Sequence, residues 1–338
     1  MRKRRNIDLI VIYIVTCLMA AWLFLLLPAA NPYGLRRPEA VTVTIEPGQK
    51  AAAVADEFVR SGLVKSPERF LKWMTKLGFD RKLKPGSYTL RPGTAKQVAE
   101  ELRDAKPLLS EARILPGALF EEIASSWEGE GGEKLFRDAL ADDANFPSAL
   151  RVFLPKEAED RFLFLSPDTY AVTSGDSAPG QLVRSAARRW WIRHEGDIPP
   201  AATSADLREW GVIASIIQKE ALFDNERPLM AGVFENRLKK NMPLQSCATV
   251  VYAWKQKGVK RTSLTYDDLK IESPYNTYKY GGLPPGHIGV PSESSWKAAL
   301  QPQQTDKLFF VADKDGHHVF SKTYGEHLAA QRRIGGSK

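Results

Sequence analysis

The chain has 338 residues, of which 43% are hydrophobic and 26% are charged, an ordinary globular composition that excludes a largely disordered protein. Its two Cys cannot build a disulfide framework or a Cys-rich zinc module. The formal net charge of +8 favours an anionic partner or environment, but it does not distinguish nucleic acid, an acidic polymer and a membrane surface.

The N-terminus combines a basic cluster, Arg2 to Arg5, with a charge-free stretch at residues 9–30. About 20 apolar residues span a bilayer as a helix, and the basic side stays in the cytoplasm. We therefore predict a single-pass anchor with a cytoplasmic N-terminus and a large extracytoplasmic part, which disfavours nucleic acid as a partner. A signal peptide cleaved after Pro28-Ala29-Ala30 is the alternative, although its apolar region usually has only about 7–15 residues.

Turn, cap and periodicity signals predict the elements that follow. In order, these are a strand at Val41–Ile45 ending in a Pro-Gly turn, a helix at 51–61, a helix with Ser66 as N-cap and Pro67 at its first position, a turn leading into a strand over 85–90 and a helix at 96–103.

Two short motifs recur along this part of the chain. Residues 45–48, Ile-Glu-Pro-Gly, are echoed by Ile-Leu-Pro-Gly at 114–117, and residues 83–88 are echoed by 165–170. The period of roughly 70–80 residues is too long for a solenoid unit. It indicates two related small α+β modules, at about 41–106 and 111–195, with chance as the alternative because Pro-Gly turns are common.

Residues 195–205 are rich in Pro, Ala and polar side chains and predict a hinge, after which helices dominate. The predicted elements are a helix at 206–222 with Ser204 or Asp206 as N-cap, one at 227–240 with Pro228 in its first turn, a short one at 250–256, a loop at 273–289, a helix at 292–300 and a hairpin over 308–320.

Glu220 is the strongest catalytic candidate. It follows Ile213, Ile216 and Ile217 by seven, four and three residues, so it continues their apolar stripe. Desolvation on such a stripe favours the protonated acid, which glycosidic-bond cleavage needs for its leaving group. The alternative is a stripe that ends one turn earlier and leaves Glu220 solvated.

The loop at 273–289 holds Tyr275, Asn276, Thr277 and Tyr278 in succession, before a Gly- and Pro-rich run. Aromatic faces cover sugar C–H surfaces and amides bond sugar hydroxyls, so this set is typical of a glycan site. A stiff surface loop whose Tyr residues merely pack is the alternative.

These segments resemble a known family. Residues 213–220 are similar to the "IASIxxKE" helix of the endolytic murein transglycosylases (the MltG or YceG-like family), and residues 273–286 are similar to "SPYNTYxxxGLPPGPI". Residues 226–238, the turn at 242–246 and the hairpin around 316–321 also fit. The resemblance covers essentially the whole chain.

The resemblance implies an α+β fold in which a LysM-like module precedes a catalytic domain with a lysozyme-like helical core. The expected organisation is a cytoplasmic tail at 1–8, a transmembrane helix at 9–30, a linker at 31–40, a LysM-like module at 41–106, a second small α+β module at 107–195 and the catalytic domain at 196–338. The protein is expected in the cell (inner) membrane with that domain extracytoplasmic.

The activity implied by the resemblance is cleavage within peptidoglycan glycan strands, which limits or ends their elongation. Glu220 protonates the oxygen between MurNAc and GlcNAc and then takes the proton of the MurNAc C6 hydroxyl as that oxygen closes on C1, leaving a 1,6-anhydro end. No metal or organic cofactor is implied, and peptidoglycan synthases are candidate partners. The implied substrate-binding residues are Gln245, Ser246, Tyr275, Asn276, Thr277, Tyr278 and Leu283.

The chain departs from the family pattern in three places. Cys247-Ala248 stand where Asp-Pro is usual, residues 159–170 are a degenerate "EGxLFPDTY", and His287 and Gly289 alter the end of the last motif. As a lone thiol, Cys247 is predicted to be a buried small apolar residue.

Rival interpretations remain open. A conventional muramidase would use Asp224 or Glu235 as a second carboxylate, with Asp224 one turn beyond Glu220 on the same helix. A non-catalytic wall-binding scaffold would need Glu220 replaced. An S-x-x-K acyl enzyme at Ser294 lacks its partner motifs, and His317, His318 and His327 lack metal-ligand spacing.

Overall fold

The computed structural model describes residues 39–45, 49–127, 131–173 and 175–335. Over these ranges the architecture is α+β, as predicted, and combines helices with three two-stranded sheets. None of the helices described is both long and apolar enough to cross a membrane. The predicted transmembrane helix at 9–30 lies outside the described residues.

The described chain divides into two compact units, of which the first contains residues through Val43, 51–81 and 89–104. Its helices pack through buried apolar faces, and the rings of Phe58 and Phe70 stack at 5.0 Å. The predicted cap is confirmed, because Ser66 Oγ accepts a hydrogen bond from the N–H of Arg69 at 3.2 Å. The elements in this part of the chain are β1 (Val41–Ile45), α1 (Ala51–Arg60), α2 (Pro67–Lys76), β2 (Gly86–Leu90) and α3 (Ala95–Asp104), with β1 beside β2.

The second unit contains residues 44–50, 82–88 and 105–338. One continuous apolar core runs from Ala112 to Leu300, centred on the rings of Phe164, Trp190 and Trp296. The predicted domain boundaries at 106/107 and 195/196 stay predictions. The elements are β3 (Leu109–Ile114), α4 (Phe120–Ala124), α5 (Gly132–Ala141), β4 (Asp168–Thr173), α6 (Ala178–His194), α7 (Ser204–Glu220), α8 (Arg227–Lys239), α9 (Cys247–Gln256), α10 (Glu293–Leu300), β5 (Phe309–Ala312), β6 (His318–Ser321) and α11 (Tyr324–Gly335).

The second recurring motif, residues 83–88 and 165–170, has the same hydrogen bond at both places. Tyr88 in β2 donates its hydroxyl hydrogen to the carbonyl of Lys84 at 2.7 Å, and Tyr170 in β4 donates to the carbonyl of Ser166 at 2.5 Å. Each tyrosine therefore closes the Pro turn that precedes its strand. The echo between residues 83–88 and 165–170 thus has a structural basis, in two strands that each pair with an earlier strand.

Helix α7 is the central element of the second unit. Its N-cap is Thr203, whose Oγ1 accepts from the N–H of Asp206 while the Asp206 carboxylate accepts from the N–H of Thr203. The prediction of Ser204 or Asp206 as N-cap was therefore wrong. Thr203 is the N-cap, and Asp206, three residues later, completes the capping box with it. At Gly211 a Cβ would lie 2.8 Å from both Leu163 and Trp296, so glycine permits this close packing.

The C-terminal hairpin is confirmed, with β5 and β6 antiparallel and Phe310 paired with Phe320. Helix α11 after it was not predicted. Its sequence signal is Thr323-x-x-Glu326, because the Glu326 N–H donates to Thr323 Oγ1 and the Glu326 carboxylate accepts from the Thr323 N–H.

Candidate active site

Glu220 is the last residue of α7 and is half-buried. Its Oε1 accepts two hydrogen bonds, one from the Ser246 hydroxyl and one from the backbone N–H of Ala248 at 3.1 Å. Ala248 lies in the first turn of α9, where backbone N–H groups lack partners within the helix. The N-terminus of α9 therefore fixes one oxygen of the Glu220 carboxyl group.

The turn that carries Ser246 is bonded to the loop at 273–280. The N–H groups of Gln245 and Ser246 donate to the carbonyl and to Oγ1 of Thr277, each at 3.0 Å. Thr249 Oγ1 lies 2.8 Å from Thr277 Oγ1. Gln245 itself is exposed and has φ of 51°, a left-handed conformation that is uncommon outside glycine. These bonds determine where the Ser246 hydroxyl points.

Asn276 and Thr277 are buried, and their side chains bond to the protein itself. Asn276 donates to the carbonyls of Leu269 and Ile271 at 2.8 and 2.9 Å, and its Oδ1 accepts from the N–H of Tyr278 at 3.0 Å. Their side-chain bonding capacity is thus used by protein groups, in the segment just before the loop and in the turn and helix around Ser246. In this geometry both residues hold the loop in shape, and direct contact with substrate stays a prediction.

A cavity of about 290 Å³ opens beside Glu220. It is bordered by the end of α7, by one face of α9 and by the segments around residues 119 and 288. The residues that line it are Leu119, Lys219, Glu220, Cys247, Ala248, Val251, Tyr252, Lys255 and Ile288. Of the predicted site residues, only Glu220 lines this cavity.

The two predicted Tyr residues contact side chains that line the cavity. The ring of Tyr275 packs on that of Tyr252 at 4.8 Å, and Leu283 packs against the main core. Tyr278 Oη lies 3.1 Å from Cys247 Sγ. Burial raises the pKa of Tyr252 and of Tyr278, so both hydroxyls stay protonated at neutral pH and can donate hydrogen bonds.

The prediction that Cys247 is buried was wrong, because it is exposed and lines the cavity. Its place at the start of α9 directs the side chain towards Glu220 and Tyr278. Loss of water around the sulfur, together with the nearby Glu220, raises the pKa of the Cys247 thiol despite the exposure of the residue. The thiol is therefore protonated and weakly nucleophilic at neutral pH.

Two cations at the cavity, Lys219 and Lys255, were missed. The available signal was the spacing on α9, where Cys247, Val251 and Lys255 recur every four residues and thus share a face. Lys219 directly precedes Glu220, but the apolar stripe gave no reason to bring it to the same cavity.

The carboxylates proposed for a muramidase lie elsewhere. Helix α7 ends at Glu220, so Asp224 is not on the same helix but in a short 3₁₀ turn, where it accepts from Arg227 at 2.7 Å and from Ser294 at 3.0 Å. The prediction of one continuous helix was wrong because Ala221 caps it in an extended conformation. Glu235 pairs with Lys239 on an exposed face of α8. Neither carboxylate lines the cavity.

The protein has an α+β fold, and the carboxyl group of Glu220 lies at a helix end beside a cavity. This arrangement is typical of enzymes that use general acid–base chemistry. A family model described as the YceG-like family matches residues 43–333. The chain belongs to the YceG-like family, as the sequence motifs predicted.

Relatives and a solved structure agree with this assignment. An endolytic murein transglycosylase of Bacillus subtilis is 30% identical, and the match covers 88% of this chain and 86% of the relative. One of Streptococcus pneumoniae is 28% identical, covering 85% of this chain and 57% of the relative. The crystal structure of a YceG-like protein of Listeria monocytogenes is 27% identical with a TM-score of 0.52, covering 86% of this chain and 98% of that chain. By class the chain is a lytic transglycosylase, so the prediction of an enzyme is confirmed.

Proposed function

We propose that the chain cleaves the MurNAc–GlcNAc bond within peptidoglycan strands and that Glu220 is its acid and base. The observation that carries this proposal is the Glu220 carboxyl group at the cavity, with one oxygen bonded to Ser246 and Ala248. The relatives named endolytic murein transglycosylase support the substrate and the cleavage within strands.

The two oxygens of Glu220 suit different tasks. Oε1 accepts the bonds from Ser246 and Ala248, whereas Oε2 has no hydrogen bond to any residue that the structure describes. In the proposed reaction Oε2 gives its proton to the glycosidic oxygen as the bond from MurNAc C1 breaks. The same oxygen then takes the proton from the MurNAc C6 hydroxyl, whose oxygen forms the new bond to C1.

This reaction consumes no water and returns the proton to Glu220. The nucleophile belongs to the sugar that is being cleaved, so its effective concentration is high. A hydrolase would need a second carboxylate to activate water or to form a covalent intermediate. The positions of Asp224 and Glu235, both outside the cavity lining, favour the single-carboxylate route.

The wider organisation is part of the same proposal. Residues 9–30 form the single-pass anchor in the cell membrane and leave the catalytic domain extracytoplasmic, facing peptidoglycan and its synthases. The strand–helix–helix–strand order of β1, α1, α2 and β2 supports a LysM-like module. A reporter fused after Lys338 should be active only outside the cytoplasm, and recovery of a soluble form starting near Asn31 would count against the uncleaved anchor.

Mass analysis of purified glycan strands after incubation with the protein tests the reaction. We expect cleavage within the strands, which gives shorter products with 1,6-anhydro-MurNAc ends. Reducing ends would instead support a muramidase, and intact strands would support a non-catalytic wall-binding protein.

A further inference from the structure

Two lysines reach the cavity beside Glu220 from different helices, Lys219 from α7 and Lys255 from α9. Lys255 already has a partner, because its ammonium group pairs with Oε1 of Glu122. The other oxygen of Glu122 accepts from the backbone N–H of Leu119 at 3.0 Å. Glu122 is thus engaged by Lys255 and by the start of α4.

Lys219 is different. It forms neither a hydrogen bond nor an ion pair with any of the residues that the structure describes, and Glu122 acts on it only through charge. A Cβ at Gly117, where φ is 80°, would lie 3.0 Å from Lys219 Nζ, so glycine leaves room for the ammonium group. Protein atoms packed around that group displace water and lower the pKa of Lys219, although the residue as a whole is exposed. A partly desolvated cation therefore lines the cavity and has no hydrogen-bond or ion-pair partner among the described residues.

The other lining residues and the cavity volume indicate what kind of group Lys219 can bind. Leu119, Val251 and Ile288 add apolar surface to the same lining. The volume of about 290 Å³ is just below the range of roughly 300–1,000 Å³ found for ligand pockets. That volume suits a single substituent rather than a run of sugar rings, and the two lysines favour a substituent with a negative charge.

We propose that Lys219, assisted by Lys255, forms a carboxylate subsite that binds the acidic side arm of muramic acid next to Glu220. The inference rests on the proposed function, because it requires a MurNAc residue at Glu220. The lactyl ether of MurNAc carries a methyl group suited to the apolar wall. Its carboxylate is free in strands without peptide, and in strands with peptide the acidic residues of the peptide carry carboxylates instead.

Four strand preparations separate these two sources: strands with peptides, the same strands with their peptide carboxylates converted to amides, peptide-free strands, and peptide-free strands with the lactyl carboxylates amidated. The measurement is kcat/KM for strand cleavage by the full-length protein and by Lys219→Gln and Lys255→Gln. Lys257→Gln is the matched control, since Lys257 lies just beyond α9 and outside the cavity.

For the wild type we expect amidation of the recognised carboxylate to lower kcat/KM by about tenfold or more, the usual size of a charge-assisted hydrogen bond. Lys219→Gln should lose a similar factor on the acidic strands and then be insensitive to amidation. Lys255→Gln should lose less, because Lys255 is shared with Glu122. The control should match the wild type on every preparation.

An equal sensitivity to amidation in the wild type and in Lys219→Gln would overturn the subsite. If Lys219→Gln cleaves too slowly to compare, the same contrast is made by strand binding to Glu220→Gln with and without Lys219→Gln, and equal loss on amidation again overturns it. Absence of cleavage by the wild type on all four preparations would instead overturn the proposed function.

Discussion

Two glutamates six residues apart have opposite surroundings. Glu220 uses one oxygen for hydrogen bonds, and its carboxyl group lines a cavity. Glu226 uses both, with Oε1 2.9 Å from Nδ1 of His317 and Oε2 2.7 Å from Nδ1 of His318, and the N–H of His318 also donates to it. A carboxylate bonded on both oxygens joins two segments, whereas one with a free oxygen at a cavity can transfer a proton.

The Glu226 cluster, which we define as Glu226, His317 and His318, connects the segment after α7 to the hairpin of β5 and β6. The ring of Phe223 stacks on that of His317 at 3.9 Å and 11°. The segment that leaves Glu220 is therefore held against the hairpin. We therefore expect Glu220 to take part in the reaction and Glu226 to contribute stability.

The largest expected effect is that of Glu220→Gln on cleavage. The amide keeps the size of the side chain but cannot deliver or accept the proton. Positioned acid–base catalysis is worth about 10²–10⁴-fold, and since one group serves both proton transfers we expect the upper end or more. The measurement is the initial rate of anhydro-end formation, with folding checked by circular dichroism.

Asp224→Asn is the matched control, because Asp224 bonds to Arg227 and Ser294 away from the cavity. It should keep substantial activity. An equally inactive Asp224→Asn would restore the two-carboxylate hydrolase, and a folded Glu220→Gln with near wild-type rate would end the mechanism proposed.

Ser246→Ala tests whether the bonded oxygen of Glu220 needs its partners. A hydrogen bond to a charged group is worth about 1.5–3 kcal/mol, so we expect kcat to fall by roughly 10–100-fold. KM should change little because Ser246 contacts Glu220 and is buried. Ser246→Thr keeps the hydroxyl and should recover most of the rate. A rise in KM with unchanged kcat would instead indicate that Ser246 binds substrate.

Glu226→Gln should affect stability more than chemistry. Burial alone would raise the pKa of Glu226, but the hydrogen bonds from His318 and His317 outweigh it and lower that pKa. A carboxyl group with a lowered folded-state pKa contributes stability above its unfolded value, and this contribution is lost as the pH falls through the folded-state pKa. We expect Glu226→Gln to lower the free energy of unfolding by about 1–3 kcal/mol at neutral pH.

Urea denaturation at a series of pH values checks this expectation. The difference between wild type and Glu226→Gln should shrink as the pH falls below the ordinary Glu value of about 4.3. A constant difference across that range would show that the charge of Glu226 is not what stabilises the hairpin.

The smallest expected effect is that of Cys247→Ala. The thiol lines the cavity, but its raised pKa leaves it protonated, and its side-chain partner is the neutral hydroxyl of Tyr278. We expect most of the activity to remain. A loss of about a hundredfold, roughly 2.7 kcal/mol at the transition state, would show that the thiol binds substrate or takes part in the reaction.

Local sequence determined most of the elements. The strand at Val41–Ile45, the Ser66 cap and the C-terminal hairpin follow from turn chemistry and side-chain periodicity, which act between residues a few positions apart. The apolar stripe likewise identified Glu220 as the polar residue at the end of a buried helix face. Where local signals compete, as among Thr203, Ser204 and Asp206, the cap was misplaced.

Only the tertiary structure decided what surrounds Glu220. Ser246 and Ala248, which bond to Glu220, lie 26 and 28 residues further along the chain. The side chains of Asn276 and Thr277 are hydrogen-bonded to other protein groups. The exposure of Cys247 and the meeting of Lys219 with Lys255 depend in the same way on how α7 and α9 pack. A hydrogen bond or a desolvated charge is set by the neighbours that packing provides, and residue type and spacing along one segment do not specify those neighbours.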